Sequence, residues 1–435
     1  MSSLVEPFAG RVMTFEGIGI TRNAAGVIGR RKLPLRSALA FPPDSPPWVW
    51  NCSGGRVNNG HVPPEPVPAD APLIAGTYIY AGPIWESFGH VLAEFVHRLW
   101  VTELPEYQGL PVVFTATEGV ETPRFLAGVM NLLGITDWRV LEGPARIERL
   151  VVAEAGKQLR VPSAPEYTAF LQRRLGHIAA EPARFPKKLA VLRGHLDQSS
   201  GRCFGESWMA QQLEHLGYLS FKPEQYPLHD QVNAYMHADH IIFSEGSAMH
   251  LFDIMPPVKA QIAVLNRRPG SPLGQHTLAG KCSGLHVYDD LVFLGDPREH
   301  LTRSLSLVDP PKFFAWLRER GFVDRVPETD LLDDAMATAE DLASFVKARH
   351  RSPKINRGRD QKRLLAETIA FLVRQALRPP KVPILDPALL AAAKKEAAER
   401  LAAERAAARA ERTAARAARL ALRANASVRR DKGAA

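Results

Sequence analysis

Strand-like and helix-like patterns alternate through the middle of the chain. KLAVLR (188–193) is a short apolar run that ends in arginine. ESWMAQQLEHL (206–216) has helical spacing and stops at Gly217, the residue type that commonly closes a helix. YLSF (218–221) reads as a strand, LHDQVNAYMH (228–237) as a helix, and HIIFS (240–244) as another strand. Glu245, Gly246 and Ser247 then open a short helix ended by Pro256 and Pro257, and QIAVL (261–265) closes the unit as a fourth strand. Strands alternating with helices of this length predict a parallel, doubly wound sheet. Ligands of such sheets bind beyond the carboxyl ends of the strands. Arg193, Arg202 and the Glu245-Gly246-Ser247 turn all fall at that edge.

Upstream the pattern is less regular. Residues 1 to about 40 have weak periodicity, and Phe41 to Ala71 is rich in proline and glycine, so 1–73 reads as an irregular lead-in. Ile74 to Ala81 looks like the first strand of a domain, followed by a helix from Glu86 to Trp100. PVVFT (111–115), a helix near 123–133, WRVLE (138–142) and RLVVAE (149–154) continue an α/β domain over 74–178, and a helix near 166–177 connects it to a second domain over 179–300. VYDDLVFLG is expected to be a strand, with Asp289-Asp290 better placed in a turn, and PKFFAWLRERGF (311–322) a helix. A helical extension over 301–380 and an Ala/Arg-rich helical tail over 381–435 complete the chain.

Within 86–100, Phe88, Val91, Leu92, Phe95, Val96, Leu99 and Trp100 recur at helical spacing and form the buried stripe. Glu86, His90, Glu94 and His97 fall on the opposite face at about 100° per residue. Such a face can line a cleft where His90 takes a proton from a hydroxyl and Glu94 or Glu86 orients the imidazole. The same pattern also describes an ordinary solvated face with polar pairs one turn apart.

Other residues carry anion chemistry. The guanidinium groups of Arg193 and Arg202 suit bidentate contact with a diphosphate, unless both are surface arginines. Glu206 is a first-turn carboxylate favoured by the helix dipole, and either supports Arg202 or touches a ribose. Gly246 and Ser247 permit close backbone approach at a helix N-terminus, where free N–H groups attract phosphate. Glu245 would repel a phosphate and is better suited to accept hydrogen bonds from sugar or ribose hydroxyls. His250 faces this ligand or is a satisfied core histidine. The remaining histidines and carboxylates have no metal-ligand spacing, so no metal site is expected.

The series Arg193, Arg202, Glu206 and then DQVNAYMHADHIIFSEGSAMHLFDIM resembles the nucleotide-binding half of glycosyltransferase family 61. FGHVLAEFVHRLW (88–100) is similar to the family's other signature, a His followed four residues later by Glu and then Arg. The resemblance covers roughly 74–290. It departs at Glu245, where many members have His, and at Gly205, where Asn is frequent. The resemblance implies two Rossmann-like domains in the arrangement called GT-B, with the acceptor on the 74–178 side and a nucleotide-sugar donor on the 179–300 side. It implies inverting transfer of a hexosyl or pentosyl group with His90 and Glu94 as the catalytic pair, and it assigns Arg193, Arg202, Glu206, Glu245, Gly246, Ser247 and His250 to the donor. No metal or other cofactor is implied, and surface or capsular polysaccharide is the expected product. The alternative from another class is a non-catalytic nucleotide-sugar or polysaccharide binding protein with a basic interaction arm.

Composition adds the setting. The 435 residues are 46% hydrophobic and 23% charged, which is ordinary for a globular protein. Cys52, Cys203 and Cys282 are scattered and odd in number, so a reducing cytoplasmic setting without a disulfide framework is expected. No apolar leader or spanning run is found in the sequence. Of the formal charge of +9, the residues from Pro387 onward carry +7, from 12 basic and five acidic residues. Arg405, Arg409, Arg412, Arg416, Arg419 and Arg423 would form one stripe of a helix. That stripe is either a solvated face or a dock for an anionic surface, such as the inner membrane leaflet carrying a lipid-linked acceptor. Nucleic acid is not an expected partner, because the folded body lacks interleaved basic and aromatic residues.

Overall fold

In the computed structural model of the chain, the described residues are 8–28, 31–53, 56–59, 66–196, 201–268, 270–293 and 305–327, with Thr338 and Asp341. The chain divides into two compact units, Met1–Leu372 and Val373–Ala435. The second unit, with the basic tail, lies outside the described residues, as does most of the expected helical extension.

Two five-stranded sheets carry the first unit. Counting in chain order, β1 is Val12–Ile20, β2 Ala24–Ile28, β3 Arg31–Arg36, β4 Asn51–Ser53, β5 Arg56–Asn59, β6 Leu73–Pro83, β7 Val112–Thr115, β8 Trp138–Leu141 and β9 Ala145–Ala153. The first sheet has the order β1-β9-β6-β7-β8; β1 runs antiparallel to β9 and the other pairs are parallel. The second sheet uses β10 (Lys188–Val191), β12 (Leu219–Ser220), β13 (His240–Ser244), β14 (Gln261–Leu265) and β15 (Gly284–Tyr288), ordered β12-β10-β13-β14-β15 and parallel throughout. A three-stranded sheet joins β11 (Arg202–Cys203), β17 (Leu305–Val308) and β16 (Leu291–Phe293) in the order β11-β17-β16. The short strands β2 with β3 and β4 with β5 pair as two small antiparallel ribbons.

Side chains alternate between the faces of each strand, and this period of two sorts the cores. Ile79, Val112, Phe114 and Val151 of the first sheet share one hydrophobic cluster with Leu189, Val191, Ile241, Phe243, Ile262 and Val264 of the second. The intervening Tyr78, Tyr80, Val113, Leu150 and Val152 pack with Phe15, Phe41 and Trp48 of the lead-in. On the far side of the second sheet, Ala190, Ile242, Ala263 and Leu265 pack with Trp208, Phe313 and Phe314. Both faces of the parallel strands are therefore covered, which is why HIIFS and QIAVL are continuous apolar runs and not alternating ones.

Several expectations need correction. The lead-in is not irregular throughout, because nine of its residues form β1 on the edge of the first sheet. QIAVL does not close the second sheet, since β15 pairs beyond it. The segment 301–380 opens with a strand, β17, before helix α7 (Pro310–Glu319). The expected strand VYDDLVFLG is split into β15 and β16, with Asp289-Asp290 between them. There Asp289 accepts hydrogen bonds from Asn266 Nδ2 at 3.0 Å and the Gly270 amide at 2.8 Å, as a turn residue does.

The largest departure concerns the helix from Glu86 to Trp100. Only Phe88–His90 (α1) is α-helical; Val91–Phe95 is a π turn, and Leu99–Glu103 is 3-10. Widening of the turn keeps Glu94 beside His90 but breaks the common face, and His97 is directed into the core with no exposed surface. The remaining helices are α2 (Arg124–Leu132), α3 (Pro165–Leu175), α4 (Glu206–His215), α5 (Leu228–His237) and α6 (Leu273–Leu278). No described helix is long and apolar enough to cross a membrane.

Candidate functional site

The strand order of the second sheet locates a crevice. Numbered along the sheet's own sequence it reads 2-1-3-4-5, so the connections leave in opposite directions from β10 and β13. Ligands of such sheets bind outside the carboxyl ends of the strands at this switch point. Arg193 and Gly194 follow β10, and Glu245, Gly246 and Ser247 follow β13.

Arg193 lies against Gly246. A Cβ on Gly246 would stand 2.2 Å from Arg193 Nη1, so the close approach requires glycine. Arg193 Nε donates to the Gly201 carbonyl at 2.9 Å, which fixes the guanidinium over the turn. Burial lowers the proton affinity of this guanidinium, and the charges of Glu206 and Glu245 oppose that effect.

The other expected donor residues are arranged differently from the sequence reading. Arg202 is buried and donates to the carbonyls of Gly194 and Leu196 and to Asp341 Oδ1. It holds the 194–202 loop instead of presenting a free fork. Glu206 has no exposed surface and accepts from the Arg193 amide at 2.7 Å and the Cys203 amide at 3.1 Å. It braces the backbone on both sides of the loop, not Arg202 and not an open ribose site, and burial pushes its carboxyl pKa up. Gly205, ahead of it, has φ of 75° and its amide donates to Asp341 Oδ2 at 2.9 Å. Asn and Gly both tolerate this left-handed conformation, so the departure from the family pattern at Gly205 is conformationally neutral.

Glu245 is fully buried and accepts from Arg268 Nε at 2.9 Å, from Arg268 Nη2, from the Ser271 hydroxyl and from the Arg267 amide at 3.2 Å. Its carbonyl accepts from Arg267 Nε at 2.8 Å. Burial pushes this carboxyl up, but the Arg268 bonds and charge, Ser271 and Arg267 outweigh it and hold the pKa below the usual value. The carboxylate therefore organises two arginines instead of reaching a sugar, and its charge is neutralised beside the anion edge. Arg267 is buried enough that desolvation and Arg193 lower its pKa to about 10. The sequence reading missed both arginines. Their signal was position: Asn266-Arg267-Arg268 directly follows β14, at the same carboxyl edge.

His90 and Glu94 make the second half of the site. Glu94 Oε1 lies 2.5 Å from His90 Nδ1, with the carboxylate 3% exposed and the imidazole 53% exposed. A carboxylate on Nδ1 holds the proton there and leaves Nε2 as an acceptor toward solvent. Glu86 is exposed, and among the described contacts it is Glu94 that pairs with His90. Arg98, the third member of the signature, is buried and donates to the carbonyls of Ala153, Val49, Trp50 and Trp48. It ties the lead-in to β9 and is not part of the exposed site.

The two signature segments meet at Gly89. A Cβ there would stand 2.9 Å from His250 Cδ2 and 3.3 Å from Ser247 Oγ. Ser247 opens a 3-10 helix, Ser247–Ile254, that packs on α1 and the following π turn. Ser247 is exposed, whereas His250 is buried with its Nδ1 2.7 Å from Asp253 Oδ2. Among the described residues no group of three or more His, Cys, Asp or Glu side chains could hold a metal ion. An open groove of about 790 Å³ on the lead-in face of the first sheet is lined by Phe15, Phe41, Trp50 and Arg146, and none of the expected catalytic or donor residues borders it.

Comparison with known families agrees with this geometry. Residues 88–262 match the family model described as Glycosyltransferase 61, a span that begins at α1 and ends within β14. The match supports the resemblance to that family and a glycosyltransferase in general, with a sugar donor and a glycan acceptor. No curated protein matches the chain.

Proposed function

We propose that the chain transfers a sugar from a nucleoside diphosphate donor to a hydroxyl of a glycan or lipid-linked acceptor, with inversion, in the synthesis of a surface or capsular polysaccharide. The observation that carries this reading is the junction at Gly89, which sets the segment of the His90–Glu94 pair against Ser247, in the turn whose Gly246 lies against Arg193. In this reading the two sheets are the two halves of a GT-B arrangement, 74–178 facing the acceptor and 179–300 holding the donor. The diphosphate lies along Arg193, Gly246 and Ser247, with Arg268 supplying further positive charge and His250 a contact from behind. Arg202, Glu206 and Glu245 act by holding that edge in place.

The reaction follows from the charges. His90 Nε2 accepts the acceptor hydroxyl proton as the oxygen attacks the anomeric carbon, and Glu94 stabilises the imidazolium that forms. The bond from that carbon to the diphosphate breaks with its electron pair going to the phosphate oxygen. Fixed donors at the turn stabilise the developing charge, a role that preorganised dipoles and cations fill without rearrangement. The proposal includes no metal step or cofactor and places the protein in the cytoplasm.

A panel of nucleotide sugars incubated with the purified protein tests the reading. Release of nucleoside diphosphate from one donor, dependent on His90, is the expected result. Binding of a donor without release or transfer would instead favour the non-catalytic binding protein.

A further inference from the structure

The segment that carries His90 and the 3-10 helix that opens at Ser247 leave different sheets, and much of the contact between them is apolar. Val91, Leu92 and Phe95 share one hydrophobic cluster with Met249, Phe252 and Ile254. Apolar burial is non-directional, so such a contact resists separation more than it resists sliding. A charged contact also crosses between the sheets. Lys157 Nζ lies 3.2 Å from Asp253 Oδ1, and both side chains are buried.

Lys157 belongs to the first sheet's side of the junction. It sits in the loop after β9, at the same carboxyl edge that β6 and the His90 segment leave, because β6 and β9 are parallel. The Gly156 amide donates to the His97 carbonyl at 2.9 Å and ties this loop to the end of the π turn. Gly156 also rests on α3: a Cβ there would stand 2.5 Å from Tyr167 Cβ. Lys157 Nζ donates to the Val161 carbonyl at 3.1 Å, which fixes the ammonium within its own loop.

Asp253 belongs to the second sheet's side, on the 3-10 helix that follows β13. Its Oδ2 lies 2.7 Å from His250 Nδ1, and the His250 ring faces Gly89. The contacts therefore close a circuit that runs from the His90 segment through Gly156, Lys157, Asp253 and His250 back to Gly89. Burial raises the Asp253 pKa, but the Lys157 charge and then His250 outweigh it and hold the carboxyl below its usual value.

We propose that the buried Lys157–Asp253 pair sets the register between the two sheets at the Gly89 junction, which makes Lys157 and Asp253 positioning residues for transfer. Their part in transfer rests on the function proposed above; the register itself does not. A buried ion pair adds little net stability over apolar packing, but its geometry is demanding and a lone buried charge is costly. The pair therefore disfavours placements of the 3-10 helix that carry the carboxylate away from the ammonium. Both groups act through the distance between His90 and the Ser247 turn, where misplacement by about 1 Å can lower a rate about 100-fold.

Hydrogen exchange and turnover of the full chain test this in Lys157→Met, in Asp253→Asn and in the double variant. Lys281→Met is the matched control. Lys281 is a similarly buried lysine that holds the end of the same helix from the second sheet's own side, its Nζ donating to the Met255 carbonyl at 2.7 Å. In Lys157→Met, amide protection is expected to fall together in 88–96 and 247–254; in Lys281→Met it should fall only in the second segment. Turnover of Lys157→Met, measured well below its melting temperature, should drop roughly tenfold or more. Its nucleoside diphosphate affinity should stay within about twofold of wild type, because the phosphate turn is built within the second sheet. The double variant should be no slower than the worse single one, since partners in one contact are not additive. Lys157→Arg keeps the charge and should recover part of the lost turnover.

Protection that is unchanged in both segments, or lost only in 247–254, overturns the register role. Equal losses of turnover or of protection in Lys281→Met do so as well, because they assign the effect to general loosening. A wild type that transfers no sugar contradicts the proposed function, while the exchange pattern still decides the register. Should Lys157→Met fail to fold, the double variant leaves no lone buried charge and supplies the same readings.

Discussion

The sheet after Lys188 and the sheet before it contribute to the same junction, yet they hold their parts of it by different means. In the second sheet the backbone does most of the positioning. β10 and β13 end side by side, Gly246 lets Arg193 lie on the turn, and the left-handed Gly205 starts α4 so that Glu206 reaches the amides of Arg193 and Cys203. In the first sheet the site segment is an irregular run of α, π and 3-10 turns, held by buried side chains. Arg98 binds four carbonyls, and His97 sits in the core against the Tyr167 hydroxyl at 2.9 Å. A site edge built from backbone turns tolerates changes in side chains around it. One built from side-chain clamps does not.

The largest effect should come from the clamp. Arg98→Ala leaves four carbonyls without their donor and should lower stability by about 4 kcal/mol, since an unsatisfied buried polar group costs about 1–3 kcal/mol. Denaturant unfolding measures it, and a loss within experimental error would remove the contrast between the two sheets.

The buried histidine of the same region gives the next effect, as a pH dependence. The His97 pKa is lowered from 6.5 to about 3 in the fold, by burial first and Lys157 second. The unfolded chain therefore binds the proton first, and stability is full above about pH 6.5 and falls as pH drops toward about 3. At about pH 5 the loss should be about 2 kcal/mol relative to neutral pH, and His97→Phe should flatten that slope. An unchanged slope in the variant would assign the acid sensitivity to other groups.

On the proposed donor side a single methyl group probes the turn. Gly246→Ala displaces the Arg193 guanidinium and should weaken nucleoside diphosphate binding roughly tenfold, about 1.4 kcal/mol, with little change in melting temperature. Equal affinity would place the phosphates away from Arg193. The smallest expected effect on turnover belongs to the tail. A chain ending at Asp386 should transfer to a soluble acceptor at the wild-type rate but lose salt-sensitive binding to anionic vesicles, where each basic residue near the surface contributes about 1 kcal/mol.

The same contrast decides what could be read from the sequence. HIIFS and QIAVL have the period and length of buried parallel strands, and both occupy the residues expected of them. The end of ESWMAQQLEHL was marked by Gly217, and α4 stops two residues earlier, at His215. The β1 strand was missed because its apolar residues are interrupted: Phe15, Ile18 and Ile20 face the lead-in core while Gly17 and Gly19 weaken the alternation. The helix over 86–100 was overextended because a 3.6-residue period cannot reveal a π turn, whose register is set by tertiary packing at Gly89 and Phe95. That His90 pairs with a carboxylate one turn away was legible, but four-residue spacing fits Glu86 and Glu94 alike, and the fold selects Glu94. The occupations of Arg202 and Glu245 were not, because their partners Asp341, Arg268 and Ser271 are distant in the chain or lie in a loop without periodicity.

The central claim is that the His90 segment and the Ser247 turn form one transferase site, with His90 taking the acceptor proton. Turnover and nucleoside diphosphate affinity measured together on His90→Ala test it most directly. The account predicts a loss of turnover of roughly 100-fold or more, with affinity for the diphosphate retained. Transfer at close to the wild-type rate in that variant would contradict it.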